Sequence, residues 1–151
     1  MRLPSLEFGA AHQPWFLMPP PYTWQEIPSP FATAPGSVLL ADPPRISPRK
    51  LKTLLLSEAY PKPFAIDDGD MLTLYFNIRL IQSAMRLDAP DTLELRYTRT
   101  MMAFLLFNAR PQRLALIGVG GGSLVKFCHR RLPWCGVTAV ESDADVLAFR
   151  D

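Results

Sequence analysis

At 151 residues and a formal net charge of +2, the chain is long enough for one domain, or a domain with a tail. It lacks the concentrated basic surface of a nucleic-acid binder. Its two cysteines, Cys128 and Cys135, are too few for a disulfide framework and fit no common zinc spacing, and no apolar run approaches the roughly 18 residues of a membrane span. These features point to a cytoplasmic protein with no nucleic acid, membrane or metal as partner.

Thirteen of the 16 prolines precede residue 64. Helices and central strands tolerate few prolines, so residues 1–63 are expected to form a Pro-rich, largely irregular arm. Its scattered aromatics (Phe8, Trp15, Phe16, Tyr22, Trp24, Phe31) supply surface for packing on the body or on a partner. Within the arm, residues 50–59 have the spacing of a short helix, with Leu51, Leu54 and Leu55 on one face and Pro61 ending it. Residues 64–90 read as a small sheet domain of two or three antiparallel strands. Phe64-Ala65-Ile66-Asp67 is a strand, Asp68-Gly69-Asp70 has turn chemistry, and Leu72, Leu74 and Phe76 alternate with Thr73 and Tyr75. Asn77-Ile78 is the hairpin turn, and residues 80–85 form the return strand.

Pro90-Asp91 introduces a helix expected over about residues 92–107, with Leu93, Tyr97, Met101, Phe104 and Leu105 as its apolar stripe. Residues 114–117 are a near-continuous apolar run, the pattern of a parallel strand covered on both faces. A crossover helix follows over 123–132, with Arg130 and Arg131 in the last turn, where cations suit the helix dipole. Residues 137–140 form the second parallel strand, and Asp143 caps a third helix from Ala144. The fold class is therefore α/β: a Pro-rich arm, a small N-terminal antiparallel β-sheet, and then, over residues 91–151, the first β-α-β unit of a doubly wound parallel sheet, a partial Rossmann-like domain.

The chemistry concentrates at the first parallel turn. Gly118, Gly120, Gly121 and Gly122 stand after a strand and before a helix, and Glu141 follows 23 residues beyond Gly118. Glycines let the backbone turn sharply and approach a ligand closely, and an acid at the tip of the next strand can accept bonds from ribose hydroxyls. Two cofactor classes fit. Nicotinamide proteins prefer Gly or Ala at the sixth fingerprint position, which here is Ser123. The spacing of Gly118, Gly120 and Gly122 is instead the GxGxG of adenosyl-sulfonium sites. Glu141 serves either ligand.

These residues resemble the spermidine synthase-like (polyamine aminopropyltransferase) family of adenosylmethionine-type enzymes over about residues 64–151. The family's hairpin strand carries a glutamine, matched by Gln82 in Leu74-Tyr75-Phe76-Asn77-Ile78-Arg79-Leu80-Ile81-Gln82. Its helix carries Tyr-His-Glu, where this chain has Tyr97-Thr98-Arg99. The glycine loop follows, and then Val-Glu-x-Asp-x-x-Val as Val140-Glu141-Ser142-Asp143-Ala144-Asp145-Val146. The resemblance implies S-adenosylmethionine or decarboxylated S-adenosylmethionine as the ligand, bound by Gly118, Gly120, Gly121, Gly122, Glu141 and Asp143, with Gln82 and Tyr97 on the substrate side. The chain departs from the pattern at Gly121, where true synthases have an aspartate that holds the aminopropyl amine, and at Arg99, whose guanidinium repels a cationic polyamine.

Aminopropyl transfer also needs a base for the attacking amine. The resemblance puts that base after a fourth strand of the α/β domain, and this sequence stops ten residues past Glu141. No catalytic residue is therefore expected here, and the chain reads as a truncated member that is inactive alone. Two readings from other classes stand beside it: a non-catalytic interaction module using the Pro/aromatic arm, and an NAD(P)-binding fragment. A parallel sheet with an uncovered edge is expected to close it by homodimerising, by binding a complementary half, or by aggregating.

Overall fold

The computed structural model describes residues 5–8, 24–30, 36–41, 45–147 and 149. In chain order its elements are β1 (Ser5–Phe8), β2 (Trp24–Pro28), β3 (Ser37–Ala41), α1 (Pro48–Leu56), β4 (Phe64–Asp67), β5 (Met71–Asn77), β6 (Leu80–Arg86), α2 (Arg96–Met101) with a 3-10 turn over Met102–Leu106, β7 (Arg113–Ile117), α3 (Ser123–Arg131), β8 (Gly136–Val140) and α4 (Ala144–Leu147).

Five consecutive strands form an antiparallel meander, β2-β3-β4-β5-β6. Val38 and Leu40 alternate inward from β3 and are fully buried. Helix α1 starts where Ser47 offers its hydroxyl to the Lys50 N–H and Pro48 stands at the first turn, a position that needs no N–H donor. Leu51 and Leu55, one turn apart, then bury against Val38, Leu40, Phe64 and Ile66. Phe64 also stacks on Tyr75 across the β4–β5 pair, with ring centroids 5.6 Å apart. The β4–β5 turn is closed by its own acids: Asp67 accepts from the Gly69 N–H, and Asp68 accepts from the Asp70 and Met71 N–H groups.

The second sheet has the order β1-β8-β7. Strands β7 and β8 are parallel and joined through α3, and β1 runs antiparallel to β8 from Ser5 opposite Val140 to Phe8 opposite Val137. Cys128 and Leu132, from α3 and the residue after it, pack with Val137, Leu93 and Met102 into a second core that Leu114 and Leu116 of β7 also touch. The chain is thus mixed α/β, with a five-stranded antiparallel sheet and a small sheet built on a parallel pair.

Four expectations need correction. Residues 1–63 are not mostly irregular where they are described, because β2, β3 and α1 all fall in that stretch and supply half of the first core. The described prolines of this stretch lie at the end of β2 (Pro28), at the start of α1 (Pro48) and in connections (Pro30, Pro61, Pro63), where a missing N–H costs little. The sheet correspondingly has five strands rather than two or three. Trp15, Phe16, Tyr22 and Phe31 lie outside the described residues, as do the side chains of Phe8 and Trp24.

The helix expected over 92–107 is a six-residue α2 running into a 3-10 turn. Its N-cap, Leu95, has no side-chain bond to offer. The change of pitch breaks a stripe drawn on 3.6 residues per turn. Leu93, Thr98 and Met102 are buried, whereas Tyr97 and Met101 are half-exposed. Strand β7 is not covered on both faces either: Leu114 and Leu116 turn to the core, while Ile117 is 96% exposed. Its partner on one side is β8, and no described strand pairs with the other side.

Candidate functional site

The glycine loop leaves β7 with its ladder extended by one bond, from the Gly118 N–H to the Val140 carbonyl at 2.8 Å. Gly118, Gly120 and Gly122 have φ of 88°, 55° and 76°, a region that L side chains rarely adopt. Gly122 is the N-cap of α3 and has no side chain to occupy the helix's first N–H groups. A Cβ built on Gly118 or Gly120 would meet nothing within 4 Å, so the loop has open space beside it.

Gly121 is the opposite case. A Cβ there would lie 2.8 Å from both Cβ and Oγ of Ser83 on β6. Ser83 is buried and shares a 2.8 Å hydroxyl–hydroxyl bond with Ser123, which in turn donates to the Ala84 carbonyl at 3.3 Å. A small polar bridge therefore fixes the start of α3 against the antiparallel sheet, and Gly121 is the residue that allows this close approach.

Glu141, at the end of β8, reaches back onto the loop. Its Oε2 accepts from the N–H groups of Val119 at 2.9 Å and Gly120 at 3.4 Å. Its Oε1 accepts from Ser142 at 2.8 Å and Asp143 at 3.0 Å. Burial alone would raise the carboxyl's pKa, but the backbone N–H donors of Asp143, Val119, Gly120 and Ser142 outweigh it and hold the group below its usual range. Glu141 is thus ionised and a strong acceptor. Asp143 caps α4, accepting from the Asp145 N–H at 2.9 Å. Asp145 pairs with Lys62 at 2.9 Å, which ties α4 to the segment leading into β4.

On the other side, the β5–β6 register shifts between Leu74↔Ser83 and Tyr75↔Ile81, which leaves Gln82 as the unpaired extra residue of a bulge. Bulges re-aim side chains next to functional sites. The Tyr97 hydroxyl donates to the Gln82 backbone carbonyl at 3.0 Å, so the two residues expected on the substrate side meet. Thr98 is buried and donates to the Leu95 carbonyl, and Arg99 donates to the Glu94 carbonyl at 3.0 Å.

The geometry therefore gathers Gly118, Gly120, Gly121, Gly122, Glu141 and Asp143 around one loop and brings Gln82 to Tyr97. The sequence pattern marked Ser123 only as the sixth fingerprint position and did not reveal Ser83 or the bond between them. The one available signal was that Ser83 directly follows Gln82 and Ser123 directly follows the last glycine. A cavity of about 550 Å³ lies elsewhere, lined by Glu26, Ile27, Pro28, Gly36, Ser37, Asp67, Asp68 and Gly69, and includes none of these site residues. Among the described residues no group of His, Cys, Asp and Glu is placed to hold a metal ion, and no helix is long and apolar enough to cross a membrane.

Comparison with known proteins points the same way. The chain is 40% identical over 91 residues to a polyamine aminopropyltransferase of Chromobacterium violaceum. It is 38% identical over 91 residues to those of Neisseria meningitidis serogroups A and B. The match takes in 60% of this chain and 35% of each relative, so the chain spans about a third of the length of the curated relatives it matches. No protein-family model and no solved structure matches it significantly.

Proposed function

We propose that this chain is a spermidine synthase-like piece of an adenosylmethionine-type transferase, and that its glycine loop binds the adenosyl part of a sulfonium ligand or of its thioether product. One observation carries the reading: Glu141 at the end of β8 lies against the glycine loop at the end of the parallel neighbour β7. Ligands of open α/β sheets bind at these carboxyl ends of the strands. The open space beside Gly118 and Gly120 fits close backbone approach by an uncharged adenosine, and an ionised carboxylate fits a vicinal diol. Decarboxylated S-adenosylmethionine, the donor this reading implies, supplies a propylamine carbon activated by its sulfonium.

The same residues speak against aminopropyl transfer by the chain alone. The carboxylate that the resemblance puts at position 121 has no room beside Ser83. Arg99 puts a cation where the resemblance puts a glutamate. The carboxylates beside the loop, Glu141 and Asp143, are both engaged by backbone N–H groups rather than standing ready as a base for the attacking amine, and general-base help is worth roughly 10²–10⁴ in rate. Calorimetric titration with adenosylhomocysteine, methylthioadenosine and NAD tests the ligand class. The two thioethers should bind and NAD should bind more weakly; tighter binding of NAD would sink the assignment. Incubation with decarboxylated adenosylmethionine and putrescine should release no more than a trace of methylthioadenosine.

A further inference from the structure

An ionised carboxylate has two oxygens and about four lone-pair positions. At Glu141 four backbone N–H groups take them, but the two oxygens are held differently. Oε1 closes a local turn with Ser142 and Asp143, one and two residues away. Oε2 reaches across to Val119 and Gly120, 22 and 21 residues away, and the Gly120 bond is long at 3.4 Å. A diol that approaches Glu141 therefore finds its acceptor already occupied by the loop that should receive the ligand.

We infer that Oε2 of Glu141 is a latch holding the glycine loop in the ligand-free chain, and that a vicinal-diol ligand binds by taking Oε2 from the Val119 and Gly120 N–H groups. The exchange rests on the adenosyl reading above. It swaps two N–H donors for two O–H donors on one oxygen, so the count of bonds to the carboxylate is unchanged. Oε1 keeps its local pair and holds the side chain in place. The loop is built to yield: the peptides carrying the Val119 and Gly120 N–H groups lie between Gly118 and Gly120, whose φ of 88° and 55° glycine adopts without steric cost. Ser123 stays pinned through Ser83, so the movement is confined to the loop's first half. Glu141 is then a positioning residue for the free loop as well as a contact of the bound diol, and ligand affinity is lowered by the cost of opening the latch.

Crystal structures of the full chain, free and with methylthioadenosine or its 2′,3′-dideoxy analogue, test the exchange. Amide hydrogen exchange of the free chain tests the latch. In the free chain the Val119 amide should exchange at least tenfold more slowly than in Glu141→Gln. With methylthioadenosine, Oε2 should lie on the diol and beyond hydrogen-bond distance of the Val119 nitrogen; with the dideoxy analogue it should remain on Val119. A methylthioadenosine complex in which Oε2 still holds Val119 overturns the exchange and leaves the adenosyl reading standing. Failure of methylthioadenosine to bind overturns that reading and the exchange with it. An unprotected Val119 amide in the free wild-type chain overturns the latch whatever binds, and this result stands even where the variant does not fold.

Discussion

Gly121 and Ser83 show how one contact between distant residues can set what a site is able to do. A methyl group at position 121 would meet two Ser83 atoms at 2.8 Å, and Ser83 cannot retreat without leaving Ser123. Gly121→Ala should therefore destabilise the chain by about 1–3 kcal/mol, the usual cost of overpacking. Adding Ser83→Gly should recover part of that loss, giving a coupling energy in a double-mutant cycle read by urea unfolding. Purely additive losses would show that the contact is not the cause. Glu141 makes a second prediction. Its folded pKa is depressed from the ordinary value of 4.5, and such a group contributes stability above the unfolded value and loses it as pH falls through the folded one. Wild type should lose stability relative to Glu141→Gln as pH is lowered below that ordinary carboxylate value, and parallel unfolding profiles for the two proteins would refute it. The glycine spacing and Glu141 were legible in the sequence because strand, loop and helix are neighbours along the chain. Ser83 was not, because its partner lies 40 residues away and nothing local marks the approach.

Among the elements, those with a strong local signature were readable and those decided by packing were not. The Asp67–Asp70 turn and the Asp143 cap declare themselves through side chains bonding to nearby backbone, and the crossover helix through the glycine run before it and the basic residues of its last turn. Strands β2 and β3 do not, since each is a five-residue run in proline-rich sequence and only the sheet shows that Val38 and Leu40 point inward. The 92–107 segment misleads for the converse reason: an apparent apolar stripe is cut by the passage into 3-10 geometry, and Thr98 takes the buried place assigned to Tyr97. Helix α1 tests how far folding extends into the proline-rich part. Leu55→Ala removes a side chain that is 1% exposed. It should cost about 2–5 kcal/mol, as core leucines do. A loss under about 0.5 kcal/mol, the range of ordinary surface changes, would mean that α1 is not part of the core.

At the scale of the whole molecule, polar bridges join the parts that carry the two cores: Ser83 to Ser123, Tyr97 to the Gln82 carbonyl, Lys126 to the Met85 sulfur, and Lys62 to Asp145. These set the distance between the antiparallel sheet and the glycine loop, and so between Gln82 and the ligand side. The parallel unit is the less covered of the two. Phe107 is 91% exposed, Leu106 83% and Ile117 96%, and β7 has a described strand neighbour on one side only. Natural edges carry charge or are paired, because an open row of backbone donors and acceptors beside apolar side chains templates association. Arg113 at the start of β7 is the only charge in that strand, four residues from Ile117. The chain should therefore self-associate as its concentration rises, pairing along β7 and burying Ile117. Ile117→Lys puts a charge on the open face without touching the core that Leu114 and Leu116 fill. In sedimentation experiments this variant should shift the population towards monomer, while its thermal unfolding stays close to wild type, as a surface change predicts. A wild-type chain that is monomeric at every concentration, or a variant that associates as wild type does, would show that β7 is not the contact.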